Sequence, residues 1–254
     1  MNINHHADDS TLLSYAAGAL PESFSLVLAA HLEQCERCRQ RLHEAEDVGG
    51  ALLDDADAMP VADNSIDRVW AAIESGEPAP EPEPRPAVSG LPAVLGRHLP
   101  EGLGSIRWRT VAPGIRQFIL KDVESGHGTA RLLSIAPGTT IPHHTHGGSE
   151  LTLILKGSFA DEIGRFNAGD LADLDDSVHH QPVADTAEPC ICLIATDERL
   201  RFTGVFNRLL QPLGCILAGG IVDDNDVEGP IGLICDDALQ ARTGGAFEIV
   251  IAQN

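Results

Sequence analysis

The stretch "GEPAPEPEPRPAVSGLP", residues 76–92, constrains the fold of this chain more than any other feature. Its alternating prolines lack amide hydrogens and fix φ, so no helix can pass through them, and the segment favours an extended, semi-rigid spacer. The chain has 254 residues, enough for a hydrophobic core on either side of such a spacer. The expected division is a helical section over 1–76, a linker over 77–92, a β-rich section over 93–213 and a C-terminal extension over 214–254.

The two flanks differ in texture. Before the spacer, Ala, Leu and Glu dominate and apolar residues recur at intervals of three and four, the period of an amphipathic helix. Asp9 or Ser10 suits a first N-cap, and Gly18 with Pro21 marks a stop and restart. A third helix is expected from about Glu36, and "NSIDRVWAAIES" reads as a fourth, capped by Asn64 or Ser65. After the spacer, "IRWRTV", "IRQFIL", "TARLLSIA", "ELTLILKGSF" and "CICLIAT" are short β-prone runs between Gly, Pro and Asp turns. Many short strands predict a sandwich or barrel, with a jelly roll as a natural solution. The fold class expected is an all-α domain followed by an all-β domain.

Charge narrows the function. There are 17 basic against 38 acidic side chains, a formal net charge of -21. Such a surface repels phosphate backbones, which argues against direct nucleic-acid binding and for a basic protein partner. The N-terminus lacks the basic and apolar regions of a secretory signal, and no apolar run reaches spanning length. A cytoplasmic location without membrane contact is therefore expected. There, six cysteines read as metal ligands, sensors or core thiols rather than a disulfide framework.

"HLEQCERCRQ" places His31, Cys35 and Cys38 within eight positions. On a continuous helix the offsets of four and seven put all three on one side. If the helix breaks at Cys35, the C-x-x-C turn still joins both sulfurs. A thioredoxin-type pair expects a strand before the motif, whereas a helix precedes this one. Zinc wants a fourth ligand, with His6 the leading candidate and His5 its neighbouring rival.

"YAAGAL" and "HLEQCERCR", with His6, His31, Cys35 and Cys38 at these intervals, resemble the zinc-binding anti-sigma domain. The resemblance implies a helical domain that grips an extracytoplasmic-function sigma factor through its apolar face and keeps it from core RNA polymerase.

"GTTIPHHTHGGSELTLILKG" is the second constellation. His144 and His146, two apart on a strand, share a face. Glu150 can return to that face after the Gly147-Gly148 kink, and Gly157 suits a hairpin turn. A fourth ligand is available from His179 or His180, of which a regular strand turns only one inward. The spacing G-x5-H-x-H-x3-E-x6-G resembles the first cupin motif, which implies a jelly-roll barrel. The second motif departs from the pattern, since Asn167-Ala168-Gly169-Asp170 stands where a proline-containing turn is usual. The family pattern favours His180, before Gln181-Pro182. Three imidazoles and a carboxylate suit several divalent metals.

Together the two halves resemble the ChrR type of cytoplasmic anti-sigma factor, from residue 1 to about Gly214, including "RWRT" at 107–110 and "CICLIATD" from Cys190. Carried over residue by residue, the first Zn2+ site falls on His6, His31, Cys35 and Cys38. The second site, for a divalent metal and by analogy Zn2+, falls on His144, His146, Glu150 and His180. The resemblance implies a one-to-one heterodimer with the sigma factor, negative regulation of transcription, and a cupin domain needed for release under singlet oxygen. Catalysis is not expected, although the same four cupin ligands serve metal-dependent dioxygenases and isomerases. An interaction module with another partner is the remaining rival.

Cys190 and Cys192 are candidate sensors, with inward-facing core thiols as the plainer reading. The tail after Gly214 offers strand-like pieces, "GLIC" and "FEIVIA", and no assignable function. "DDNDVEGP" has too few spaced carboxylates for a calcium loop.

Overall fold

A computed structural model describes residues 2–76, 88, 90–123, 128–145, 148–197 and 201–202. Most of the proline-rich segment, and the whole chain after Phe202, lie outside the described residues, including the tail and its acidic stretch. Four helices come first: α1 (Asp9–Ala16), α2 (Glu22–Leu32), α3 (Glu36–Asp54) and α4 (Ser65–Glu74). The N-cap of α1 is Asp8, one position before the expected pair. Gly18, at φ 67°, ends the first helix, and Pro21 stands at the N-cap of the second. Asn64 fills the same position for the fourth.

Twelve strands follow: β1 (Arg109–Ala112), β2 (Ile115–Ile119), β3 (Thr129–Ile135), β4 (His144–Thr145), β5 (Glu150–Lys156), β6 (Ser158–Ala160), β7 (Arg165–Asn167), β8 (Leu171–Leu174), β9 (His179–His180), β10 (Val183–Ala184), β11 (Cys190–Thr196) and β12 (Arg201–Phe202). They form a six-stranded sheet in the order β1-β2-β3-β11-β5-β8 and two three-stranded sheets, β10-β6-β7 and β12-β4-β9. Every pairing among the described residues is antiparallel. This is the all-β cupin-like architecture expected after the helical section.

Both faces of the central strands β3, β5 and β11 are covered, which explains why these strands read as apolar runs. On the inner face Leu133, Ile154, Cys192 and Ile194 join Phe159 and Phe166 of the small sheet in one core. On the outer face Leu132, Leu151, Leu153 and Leu193 join Phe24, Val27, Leu28 and Leu32 of α2 in another. Helix α2 buries Phe24, Val27, Leu28, Ala30, His31 and Leu32 between the other helices and the sheet, as befits a helix that is apolar all round. The two halves therefore share a core despite the spacer between them. Glu33, just past α2, accepts the amides of Ala93 and Val94 at 2.5 and 2.8 Å and anchors the chain where it re-emerges from the proline-rich segment.

Candidate metal centres

The first centre forms where α2 gives way to α3. The chain leaves the helix after Leu32 and re-enters it at Glu36, so the C-x-x-C sits at a helix start. Cys35 occupies the N-cap of α3, and its sulfur accepts the Cys38 amide at 3.4 Å. His31, one turn before the break, turns inward and is fully buried.

His6 comes from the extended segment before α1, with Nδ1 3.2 Å from Cys35 Sγ and 3.6 Å from Cys38 Sγ. His31 Nε2 lies 3.3 Å from Cys38 Sγ. One ligand atom from each of the four residues lies within 4.8 Å of all the others. His5 points elsewhere: its ring stacks on Phe166 at 4.1 Å and its Nε2 meets the Arg165 carbonyl at 3.1 Å. Adjacent residues of an extended segment face opposite ways.

Burial pushes the His31 imidazole down to about 4, so it is neutral and its lone pair is available. Its Nδ1 meets the Gly169 carbonyl at 3.0 Å, which makes Nδ1 the donor and leaves Nε2 facing the sulfurs. Burial first, and then the hydrogen bond with Cys35, pushes the Cys38 thiol up to about 11. A divalent metal bound here would supply the positive charge needed to hold that buried thiol deprotonated. Two imidazoles and two sulfurs at this spacing suit a tetrahedral ion.

The second centre lines the cavity inside the jelly roll. In β4 and β9, His144 pairs directly with His180, and their Nε2 atoms lie 3.1 Å apart. His180 is buried and His179 exposed, so the strand turns His180 toward His144. His144 Nδ1 meets the Pro142 carbonyl at 2.9 Å and His180 Nδ1 meets the Asp161 carboxylate at 2.8 Å. With both Nδ1 atoms donating, both Nε2 lone pairs point into one space, an arrangement that a cation between them stabilises. Glu150, buried at the start of β5, lines the same cavity and accepts the Thr152 hydroxyl at 2.9 Å. His146 lies outside the described residues.

Asp161 escapes sequence reasoning. It stands 19 residues before His180, on the loop after β6, and nothing in its local pattern sets it apart. Burial would raise its carboxyl, but hydrogen bonds from His180 and the amides of Gly164 and Ile163 outweigh this and hold it below the ordinary value. It orients His180 as carboxylates commonly orient metal-binding imidazoles. Cys190 and Cys192 are both buried, with Cys192 on the wall of the same cavity. The hydrogen bond with Cys190, then burial, pushes the Cys192 thiol well up, so it stays protonated and weakly nucleophilic.

A helical domain that gathers a His2Cys2 group able to hold a metal ion, seated on a jelly roll with paired histidines lining its cavity, defines a two-part, cupin-type protein. Residues 102–198 match the family described as the ChrR cupin-like domain. The chain is 42% identical over 212 residues to the anti-sigma-E factor ChrR of Cereibacter sphaeroides, spanning 84% of this chain and 98% of that protein. In the crystal structure of Rhodobacter sphaeroides SigE in complex with the anti-sigma ChrR, a chain 40% identical superimposes with a TM-score of 0.63, covering 77% of this chain and all of that one. This chain belongs to the ChrR family of anti-sigma factors.

Proposed function

We propose that this protein binds an extracytoplasmic-function sigma factor as a one-to-one heterodimer and keeps it from core RNA polymerase. One observation carries the reading: an apolar stripe that the other described residues leave uncovered. Ile66, Val69, Trp70 and Ile73, at i, i+3, i+4 and i+7 of α4, are 56–65% exposed. No residue of α4 is buried. Leu52 and Leu53 at the end of α3, and Met59 and Val61 after it, are also exposed. An amphipathic helix without a partner is a ready-made element for docking into a groove. The relative crystallised with SigE supports the choice of partner.

In this reading Zn2+ is held by His6, His31, Cys35 and Cys38, and a second divalent metal, zinc by analogy, by His144, His146, Glu150 and His180. The metals supply positive charge that fixes the ligand-bearing segments. The chain's own residues do the rest: Gly169 and Asp161 set the imidazole tautomers, and α4 presents the docking stripe. A cytoplasmic site of action accords with the partner, and no described helix is long and apolar enough to cross a membrane. The cavity beside His144 and His180 is about 50 Å³, room for an ion and a water or two. Release under singlet oxygen requires oxidation at the cupin domain to favour the free form over the bound one.

Co-expression with an extracytoplasmic-function sigma factor, gel filtration and transcription in vitro test the proposal. A one-to-one complex that silences sigma-dependent transcription is expected. Separate elution with undiminished transcription would refute it.

A further inference from the structure

The four-residue turn between β7 and β8, Asn167-Ala168-Gly169-Asp170, does more than reverse the chain. Its Asp170 carboxylate is fully buried and accepts three backbone amides. One oxygen takes Asn4 at 2.6 Å and His5 at 3.1 Å, and the other takes Asn167 at 2.8 Å. The Leu171 amide donates to the His5 carbonyl at 3.3 Å. The residue before Asp170, Gly169, offers its carbonyl to His31. One turn of the cupin-like domain thus fixes the backbone next to His6 and the ring orientation of His31, two of the four residues in the helical cluster.

The same turn is tied to the jelly roll. Gly169 donates to Ile154 at 2.8 Å and Ile154 donates to Asp170 at 3.1 Å, on the strand that begins at Glu150. A ring stack runs parallel to it: His5 on Phe166 at 4.1 Å, and Phe166 on Phe159 at 4.8 Å. Phe159 lines the cavity that holds His144 and His180. A continuous set of packed and hydrogen-bonded groups therefore joins the two centres.

We propose that the Asn167–Asp170 turn is a coupling element, through which the grip of the helical metal site depends on the cupin-like domain staying docked. It rests on the reading of His6, His31, Cys35 and Cys38 as metal ligands. Linkage makes the coupling reciprocal: displacing the turn weakens metal binding, and losing the metal loosens the turn. Asp170 and Gly169 act here as positioning residues, and residues that orient ligands in this way typically change metal affinity by about 10- to 100-fold.

The test uses the full chain carrying Cys190→Ser, Cys192→Ser, Cys215→Ser and Cys235→Ser, and cobalt(II), whose thiolate absorption then reports the site containing Cys35 and Cys38. Asp170→Asn is expected to weaken cobalt binding by about 10-fold or more. Asp173→Asn, which alters the neighbouring clamp on the Asp8 amide at 3.0 Å without touching a ligand-bearing residue, should stay within about twofold of wild type. Wild-type affinity in Asp170→Asn overturns the proposal. A wild-type chain with no thiolate band overturns the ligand reading beneath it, a different outcome. Should Asp170→Asn fail to fold, hydrogen exchange on Cys35→Ser/Cys38→Ser decides. Faster exchange at Leu171, with Leu193 unchanged, is expected; wild-type exchange at Leu171 overturns the coupling.

Discussion

Trp70→Ala separates docking from folding. The Trp70 residue is 56% exposed and sits at the centre of the α4 stripe. A tryptophan buries about 150–250 Å² when fully covered, so about 80–140 Å² remains for a partner to cover. At ~25 cal/mol per Å² that is about 2–3.5 kcal/mol. Ordering the side chain costs about 1 kcal/mol. The net, about 1–2.5 kcal/mol, corresponds to roughly 5- to 70-fold weaker binding. Stability should not fall, because no residue of α4 is buried and alanine favours helix at least as well. Calorimetric titration of the sigma factor into wild type and variant reads the first quantity, and thermal melts read the second. Equal affinities would refute the assignment of the α4 stripe as a docking face. A large drop in melting temperature would show that Trp70 supports the fold instead.

Other outcomes follow from the same geometry. Leu193→Ala, at a fully buried position between α2 and the sheet, should cost about 2.7–5 kcal/mol in denaturant unfolding. Asp161→Asn removes the carboxylate that orients His180 and should lower metal affinity at the cupin site by about 10- to 100-fold, read by competition with a chelator. Burial raises the Asp173 carboxyl above its ordinary 3.8. The folded state then binds this proton more tightly than the unfolded state, so the contribution to stability falls as pH rises through the folded pKa. Asp173→Asn should abolish that fall and leave the variant more stable at neutral pH, as unfolding curves across pH would show.

Much of this was legible before any fold was drawn, for reasons that can be named. The His31, Cys35 and Cys38 spacing works whether or not the helix is continuous, because a C-x-x-C at a helix start also converges its sulfurs. The choice between His5 and His6 was not legible: the two are adjacent, and only the pairing of His5 with the Arg165 carbonyl and Phe166 decides it. His180 over His179 followed the family pattern; in the fold His180 is buried and His179 exposed. The long apolar runs of β3, β5 and β11 signalled strands, but not that α2 covers their outer face. That contact joins residues far apart in the chain, and a proline-rich spacer suggests separation instead. Asp161 and Asp170 were hidden among 38 acidic residues. Asp170 left one trace, the departure from the usual proline-containing turn.

The central claim is that a divalent metal pins the opening segment to the α2–α3 junction and thereby shapes the surface that captures the sigma factor. Its most direct test is calorimetric titration of the sigma factor against the full chain stripped of metal and against the same sample reloaded with one equivalent of zinc. Binding that is lost on stripping and restored by zinc is the predicted result. Equal binding by the stripped chain, with its helices still folded, would contradict the account.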